Sequence, residues 1–281
     1  MAADSLRLSG SRRAALSTVL SLVGSGGGWL SAHAVHVTFP GHDGLKLAGI
    51  LQPASGLPRG AVLLIHCFTC SKEYKILSWL ARELGVRGYR SLRFDFAGLG
   101  ESEGDFSATT LSTDVADVLA AAHWLTQGES GPLTLIGHSL GGAAAILAAE
   151  HLPEVRSVVT LATSVDAGRR LSEKLRQDGT GRFEIAGKTY RLSERRLQEL
   201  EKLSLQERIS GWDRALLVVA GTADRIVPLS EVERLFASAP APKAFVALPD
   251  ADHLFAGRRS QAPRLASIID AWIQLNEGDM K

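Results

Sequence analysis

The segment Gly137-His138-Ser139-Leu140-Gly141 has the residue pattern of a nucleophile at a strand-to-helix turn. It follows the apolar run Leu133 to Ile136 and opens an Ala-rich stretch. In such a turn the serine sits in strained backbone geometry, and flanking glycines let the strand and the helix approach each other. The backbone N–H groups at the helix start can stabilise an oxyanion. We therefore predict Ser139 as a nucleophile and the Leu140 N–H as an oxyanion donor.

A serine hydroxyl is a poor nucleophile near neutral pH, so a base must take its proton and a carboxylate must orient that base. Asp224 follows the apolar run Leu216 to Ala220, and His253 follows the run Phe245 to Leu248. Both residues would project from the carboxyl edge of a parallel sheet, where open α/β sheets place their sites. The chain order Ser, Asp, His therefore predicts a catalytic triad of Ser139, Asp224 and His253.

Other residues compete for the roles of base and acid. His138 is adjacent to the predicted nucleophile, and because adjacent residues diverge at a tight turn we predict that it packs in the interior. Asp250 and Asp252 compete with Asp224. Asp252 is next to His253 in the chain and would have difficulty folding back to the imidazole, so Asp224 is preferred.

A second oxyanion donor is expected in the loop after an earlier strand. The run Ala61 to Ile65 is followed by His66-Cys67-Phe68-Thr69-Cys70. We predict that the Phe68 N–H is this donor and that His66 forms a hydrogen bond within the loop. The C-x-x-C spacing is also found in redox sites and in half of a zinc site. Since no second cysteine pair is present, we predict no metal site.

The segment Asp95-Phe96-Ala97-Gly98-Leu99-Gly100-Glu101-Ser102 follows another predicted strand. Its glycines invite comparison with a phosphate-binding loop, but the lysine of that motif is absent. We predict a tight structural turn beside the site.

The elements that must position these residues alternate along the chain. Short apolar runs alternate with segments of helical periodicity, which predicts an α/β fold with a mostly parallel sheet covered by helices on both faces. Continuous apolar runs of strand length fit strands buried on both faces. The predicted strands are Val35–Phe39, Leu45–Leu51, Ala61–Ile65, Ser91–Phe94, Leu133–Ile136, Val155–Leu161, Leu216–Ala220 and Phe245–Leu248, the first pair as an antiparallel hairpin. The predicted helices are Lys72–Val86, Ser107–Gln127 and Leu140–His151.

The segment from about 166 to 210 separates two predicted strands by far more than an ordinary connection. It is rich in Arg, Lys and Glu and has helical stretches such as Ser193 to Leu203. Long insertions after a sheet strand are often lids over a site. We predict a small helical lid, with a solvated helical excursion as the alternative.

Composition excludes several classes of protein. The chain has 281 residues, a formal net charge of +1 and 2 cysteines. A field that would attract nucleic acid is therefore absent, and a disulfide framework is not available. No segment approaches the roughly 18 consecutive apolar residues of a membrane span. We expect a reduced, cytoplasmic location and make no prediction of oligomeric state.

Residues 1–32 are predicted to be an N-terminal extension to the domain 33–281. Arg12-Arg13 precede the apolar run Ala14 to Val23, and a Gly-rich stretch follows. This order is typical of a signal peptide, and the paired arginines resemble a twin-arginine signal. A short, loosely docked helix is the alternative that we prefer.

Together these residues resemble the α/β-hydrolase superfamily from about residue 33 onward. His66-Cys67-Phe68 stands where that superfamily usually has His-Gly-X, so Cys67 replaces a glycine. The segment Asp95 to Ser102 resembles its D-x-x-G-x-G-x-S turn, and Gly221 to Pro228 resembles its acid loop.

The segments His66 to Glu73 and Phe94 to Gly104 are similar to bacterial serine hydrolases that are often fused to an organic-hydroperoxide-reductase-like module. About 28 residues follow His253, so we expect no such module here. The resemblance implies an esterase-like hydrolase of the serine-aminopeptidase type.

From the residues and the resemblance we expect a hydrolase that cleaves small carboxylic esters through an acyl-enzyme and requires no cofactor. An aminopeptidase, an amidase or a thioesterase could use the same triad. A hypothesis of another class is a redox-linked interaction protein that uses Cys67 and Cys70.

Overall fold

A computed structural model describes residues 33–127, 131–177, 182–185, 188–255 and 261–277. Its main sheet has eight strands in the order β1-β2-β4-β3-β5-β6-β9-β10, and a separate hairpin pairs β7 with β8. The strands are Val35–Pro40 (β1), Lys46–Gln52 (β2), Gly60–Ile65 (β3), Tyr89–Phe94 (β4), Leu133–His138 (β5), Val155–Leu161 (β6), Arg182–Ile185 (β7), Lys188–Arg191 (β8), Ala215–Gly221 (β9) and Lys243–Leu248 (β10). From β4 to β10 the neighbouring strands of the main sheet are parallel, whereas β1 and β2 are antiparallel, as predicted.

Helices cover both faces of the sheet. They are Lys75–Val86 (α1), Leu111–Thr126 (α2), Leu140–Ala149 (α3), Ala167–Gln177 (α4), Glu194–Glu201 (α5), Leu205–Ile209 (α6), Leu229–Ser238 (α7) and Gln261–Glu277 (α8). The predicted helices begin and end within a few residues of α1, α2 and α3. The predicted α/β-hydrolase fold is confirmed.

Strand β3 is apolar at every position because it is covered on both faces. Leu63 and Ile65 belong to the core cluster that also contains residues of α2 and α3, such as Val118 and Ala144. Val62 and Leu64 belong to the opposite cluster, together with residues of α1 and α8. Because side chains alternate along a strand, a central strand that is covered on both faces needs apolar residues throughout.

The insertion, defined as residues 166–210, contains α4, β7, β8, α5 and α6. The prediction of helices was therefore incomplete, because an antiparallel hairpin lies between α4 and α5. The segment Arg182-Phe183-Glu184-Ile185 alternates charged and apolar residues, and Lys188-Thr189-Tyr190-Arg191 includes a β-branched and an aromatic residue. That pattern favours strands, but it is short and was outweighed by the charged helical stretch that follows it.

A buried arginine connects the insertion to the sheet domain. Arg196 of α5 is 1% exposed and donates a hydrogen bond of 2.7 Å to the Asp114 carboxylate of α2. Its guanidinium also donates to the Thr109 carbonyl and hydroxyl and to the Thr110 carbonyl. Burial raises the pKa of Asp114 to about 6, although the charge of Arg196 opposes this shift. The ion pair therefore fixes α5 against the start of α2.

The predicted extension, residues 1–32, lies outside the described residues. Within the described part of the chain, every helix is too short or too polar to cross a lipid bilayer.

Candidate active site

Ser139 lies at a sharp turn between β5 and α3. Its backbone has φ 54° and ψ −119°, a conformation that residues with a Cβ rarely adopt. The turn is held by hydrogen bonds from the Ser139 N–H to the Leu161 carbonyl (2.8 Å) and from the Thr163 hydroxyl to the Ser139 carbonyl (3.0 Å). The surrounding structure thus over-determines the strained residue, as is common at functional sites.

The glycines beside Ser139 are required by close packing. A Cβ on Gly137 would lie 2.3 Å from the Gly141 carbonyl oxygen, and a Cβ on Gly141 would lie 2.3 Å from the carbonyl oxygen of His66. Both distances are shorter than real Cβ contacts allow. The turn therefore tolerates no side chain at either position, in agreement with the sequence analysis.

Asp224 follows β9 and its carboxylate is held by the backbone of its own loop. The N–H groups of Ile226 and Val227 donate to Asp224 Oδ1 at 2.8 and 2.9 Å. Burial opposes ionisation of this carboxyl, but the hydrogen bonds from His253 and from these N–H groups outweigh burial and lower the pKa of Asp224. The side chain is therefore a carboxylate at neutral pH.

His253 lies in the loop after β10 and is bonded to Asp224. The distance from His253 Nδ1 to Asp224 Oδ2 is 2.9 Å, so Nδ1–H donates to the carboxylate and Nε2 is the basic atom. The two loops are joined by the backbone: Ala223 N–H donates to the Ala251 carbonyl at 2.9 Å, and a Cβ on Gly221 would lie 2.3 Å from that carbonyl oxygen. The partner of the imidazole is thus Asp224, not the competing Asp250 or Asp252.

His138 does more than pack in the interior, which sequence analysis missed. It is fully buried, and its Nε2 lies 2.7 Å from the backbone carbonyl oxygen of His253. Tyr74 stacks on the His138 ring at 5.0 Å and donates a hydrogen bond to the Leu254 carbonyl. Burial lowers the pKa of His138 to about 3, so the ring is neutral and its Nε2–H donates. The residue before Ser139 therefore holds the loop that carries His253.

The loop after β3 is held by the buried His66. Its Nδ1 lies 2.7 Å from the Cys67 carbonyl oxygen, and its Nε2 accepts a hydrogen bond from the Phe96 N–H at 3.3 Å. Burial lowers the pKa of His66, which favours the neutral ring that these contacts require. The predicted hydrogen bond of His66 within the loop is thus present.

Cys67 and Cys70 are joined by a disulfide, with a Cα–Cα distance of 5.3 Å. The expectation of a reduced pair therefore differs from the structure. A C-x-x-C segment brings its sulfur atoms together when the intervening backbone turns, and Thr69 supplies this turn with φ 60°. Thr69, rather than Cys67, has the positive φ in this loop. The cysteine can therefore stand where the superfamily usually has a glycine.

The segment Asp95 to Ser102 is a tight turn bonded to the same loop, as predicted. Lys72 donates through Nζ to Asp95 Oδ2 and to Glu101 Oε2, both at 2.6 Å. The Ser102 hydroxyl donates to the Asp95 carbonyl at 2.6 Å. The ion pair of Lys72 and Asp95 is almost fully buried, so it fixes the start of α1 and the end of β4 beside the site.

One cavity of about 630 Å³ brings the predicted site residues together. Ser139, Leu140, Phe68 and His253 all line it, together with both cysteines. Asp224 stands behind His253 rather than in the wall. The remaining lining residues among those described are Thr69, Ser164, Arg170, Leu171, Arg225, Ile226, Val227 and Leu254. In the described ranges, no group of three or more His, Cys, Asp or Glu side chains is arranged to hold a metal ion.

The fold and this arrangement define an α/β hydrolase with its candidate site at the carboxyl edge of the sheet. The chain belongs to the Alpha/beta hydrolase family, whose profile matches residues 62–266.

Relatives and solved structures are consistent with that membership. Protein YfhR of Salmonella typhimurium is 30% identical over 249 residues, which cover 84% of this chain and 81% of the relative. The esterase domain of a Rhodothermus marinus protein is 32% identical, with a TM-score of 0.70, and the match covers 88% of this chain and 100% of that domain. Est1E of Butyrivibrio proteoclasticus, solved with bound ferulic acid, has a TM-score of 0.75 at 18% identity and therefore shows the fold alone.

Proposed function

We propose that this protein is a serine hydrolase that cleaves carboxylic esters through an acyl-enzyme intermediate. The observation that carries the proposal is the hydrogen bond from His253 to Asp224, on a histidine that lines the same cavity as the strained Ser139. A base that is oriented by a carboxylate beside a serine is the arrangement that acyl transfer requires. The similarity to the Rhodothermus marinus esterase domain supports esters as the substrate class.

In the proposed reaction Ser139 Oγ attacks the carbonyl carbon of the ester, and His253 Nε2 accepts the hydroxyl proton. The Phe68 and Leu140 N–H groups donate to the oxyanion of the tetrahedral intermediate. His253 then donates its proton to the leaving alcohol, and the acyl group remains on Ser139. Water, deprotonated by the same imidazole, attacks the acyl carbonyl and releases the carboxylic acid. The lowered pKa of Asp224 supports this role of His253, because the ionised carboxylate stabilises the imidazolium that forms during the reaction.

The insertion is proposed to act as the lid of this site. Arg170 and Leu171 of α4 line the same cavity as the loops that carry Ser139 and His253. The neighbouring α5 is fixed by Arg196, whose guanidinium also lies 5.9 Å from the centre of the Phe68 ring. The insertion therefore contacts both the substrate space and the loop of the proposed oxyanion donor.

The experiment that tests the proposal is labelling by a fluorophosphonate probe, followed by mass spectrometry of the modified peptide. We expect one phosphonylated residue, Ser139, and parallel loss of p-nitrophenyl acetate hydrolysis. The Ser164→Ala variant is a control, because Ser164 also lines the cavity but donates to Glu231. Labelling that is unaffected by Ser139→Ala would contradict the proposal.

Other reactions of the same triad differ in the leaving group. An aminopeptidase or amidase of the serine-aminopeptidase type needs His253 to protonate an amine, which is a worse leaving group, and a thioesterase releases a thiol. Matched p-nitrophenyl ester, p-nitroanilide and thioester substrates of one acyl group distinguish the three. The ester is preferred here because the Rhodothermus marinus domain that is 32% identical to this chain is an esterase domain.

A redox-linked interaction protein is the alternative of another class. It is favoured by one observation, the Cys67–Cys70 disulfide beside Phe68. In that case hydrolysis would be absent and the dithiol form would be the one that binds a partner. A wild-type protein that reacts with the fluorophosphonate probe equally in its oxidised and reduced forms would exclude this alternative.

A further inference from the structure

The permanently charged side chains described in the wall of the cavity are all positive. Among the described residues that line it, Arg170 and Arg225 carry a full charge, and no carboxylate does. The other members of the wall are mainly apolar, including Leu171, Ile226 and Leu254. A site of this composition is suited to an apolar molecule that also bears a negative charge.

The backbone on either side of Arg225 is held by hydrogen bonds within its own loop. The preceding residue, Asp224, accepts hydrogen bonds from the two N–H groups that follow Arg225 in the chain, at 2.8 and 2.9 Å. The loop that presents Arg225 is thus the loop that orients His253. Within the described residues the Arg225 guanidinium has neither a hydrogen bond nor an ion pair, although the side chain lies at the wall of the cavity. Its charge is therefore available to a ligand.

Arg170 differs because its charge is already compensated. Its guanidinium pairs with Glu231 of α7, which also accepts a hydrogen bond from the Ser164 hydroxyl. The neighbouring Asp166 is likewise occupied, by Arg169 and Arg234. Glu231 and Asp166 therefore pair with arginines other than Arg225, and the Asp224 carboxylate is bonded to His253. This leaves Arg225 as the principal positive group, with Arg170 oriented beside the same space.

We infer that the cavity selects ester substrates that carry an anionic group, a carboxylate or a phosphate, and that Arg225 binds this group. The inference rests on the proposed function and specifies its substrate class. A guanidinium binds a carboxylate or a phosphate through paired N–H donors, whereas the apolar wall accommodates the rest of the substrate. The anion can belong to the acyl side or to the alcohol side of the ester, and both arrangements place it in the one cavity.

The test compares anionic and neutral esters of matched size. On the acyl side the pair is mono-p-nitrophenyl succinate and its methyl ester; on the alcohol side it is 4-acetoxybenzoate and its methyl ester. For each pair the ratio of kcat/KM, anionic over neutral, is measured in wild type, Arg225→Gln, Arg225→Lys and Arg225→Glu. We expect the ratio of at least one pair to fall about ten-fold in Arg225→Gln and further in Arg225→Glu, and to recover partly in Arg225→Lys.

The matched control is Arg195→Gln. Arg195 lies on α5 with a side chain that is 75% exposed and outside the residues of the cavity wall. The ratio should be unchanged in this variant. In wild type the ratio should also fall as sodium chloride is raised from about 0.05 to 0.5 M, since salt screens exposed charges.

Binding provides a readout that does not depend on turnover. In the Ser139→Ala background, the dissociation constant of 4-phenoxybutanoate, an anionic ether with no ester bond, should rise about ten-fold on adding Arg225→Gln, whereas that of the neutral 4-phenoxybutanamide should not. If wild type cleaves neutral esters but neither ratio responds to Arg225→Gln or Arg225→Glu, the inference is overturned and the proposed function stands. If Ser139→Ala still cleaves esters, the proposed function fails, and the binding measurement decides the inference by itself.

Discussion

The loops at the sheet edge and the insertion above them are stabilised in different ways. Backbone hydrogen bonds join the loops that carry Ser139, Asp224 and His253. Glycines in these loops allow the backbone segments to approach so closely that no other residue would fit. The insertion is held by apolar side chains that enter the main core, such as Leu197, Leu200 and Leu205, and by pairs of charged side chains. Arg176, for example, pairs with Glu194 and Glu201, all of them substantially exposed. Exposed pairs contribute little to stability, so among the charged pairs named here the buried pair of Arg196 with Asp114 has the larger role.

This difference separates two requirements of the site. Reacting groups must be held in one geometry, and the backbone provides it because its hydrogen bonds leave little freedom. The exposed charges of the insertion, and the side chains that it presents to the cavity, can vary without moving those groups. We therefore expect substitutions at the sheet edge to affect turnover and substitutions in the insertion to affect stability or substrate preference.

The largest effect is expected for Ser139→Ala. Because the hydroxyl is the proposed nucleophile, kcat for p-nitrophenyl acetate should fall by a factor on the order of 10⁴ to 10⁶. Stability should stay nearly constant, since alanine has the same strained backbone requirement as serine and is smaller. Thermal unfolding measured by circular dichroism checks the fold. More than about a tenth of wild-type turnover in a folded variant would reject the assignment.

Removal of Arg196 tests the anchor of the insertion. Arg196→Met leaves Asp114 buried without its partner, so the free energy of unfolding should fall by about 3 to 5 kcal/mol. Urea denaturation measures this change. The double variant Arg196→Met with Asp114→Asn should recover part of the loss, because the uncompensated charge is then absent. In Arg195→Gln, on the exposed face of the same helix, the change should stay within about 0.5 kcal/mol.

The buried His138 predicts a specific dependence of stability on pH. Burial lowers its pKa to about 3 in the folded protein, from an ordinary value of 6.5. Between these values the unfolded chain binds more protons, so His138 makes stability rise with pH until about 6.5 and has no further effect above it. The slope from one proton is about 1.4 kcal/mol per pH unit.

The matched variant is His138→Gln, which keeps an N–H donor toward the His253 carbonyl but takes up no proton. Between pH 4 and 6 its stability should depend on pH less steeply than that of wild type, by about one proton. His123→Gln is the control, because His123 is exposed on α2. Parallel curves for wild type and His138→Gln would show that His138 is not the buried titrating group.

A smaller effect is expected at Leu171, where the insertion meets the cavity. Leu171→Trp reduces the space beside Ser139, so kcat/KM for p-nitrophenyl octanoate should fall about ten-fold relative to p-nitrophenyl acetate. Leu147→Trp, on a partly buried helix position outside the described wall, controls for the added bulk. Equal chain-length preference in wild type and Leu171→Trp would leave the insertion without a role in the acyl pocket.

The smallest effect is expected for the cysteines. The loop closed by the disulfide is short, so its loss should lower stability by about 2 kcal/mol or less. The hydrogen bond from His66 to the Cys67 carbonyl remains in place, and we therefore expect ester hydrolysis within about three-fold of wild type in Cys67→Ala, Cys70→Ala and the reduced protein. A loss greater than about ten-fold that is common to all three would instead assign the disulfide a regulatory role on the Phe68 loop.

Sequence pattern alone determined the fold class and the three residues of the proposed triad. Strand β3 is apolar at every position because both faces of the sheet are covered. The Ser139 turn is recognisable because steric limits admit only glycine at Gly137 and Gly141. Asp224 and His253 each follow a strand. Because the carboxyl ends of parallel strands meet at one edge of the sheet, both residues are expected on the same edge.

Tertiary structure decided the contacts between residues far apart in the chain. The hydrogen bond of His138 to His253, the burial of Arg196 against Asp114 and the placement of Arg225 at the cavity wall each join segments that no local pattern relates. Hydrophobic periodicity reports which face of an element is buried, but not which polar partner it meets there. Those partners depend on how the loops and the insertion pack, and packing is a property of the whole chain.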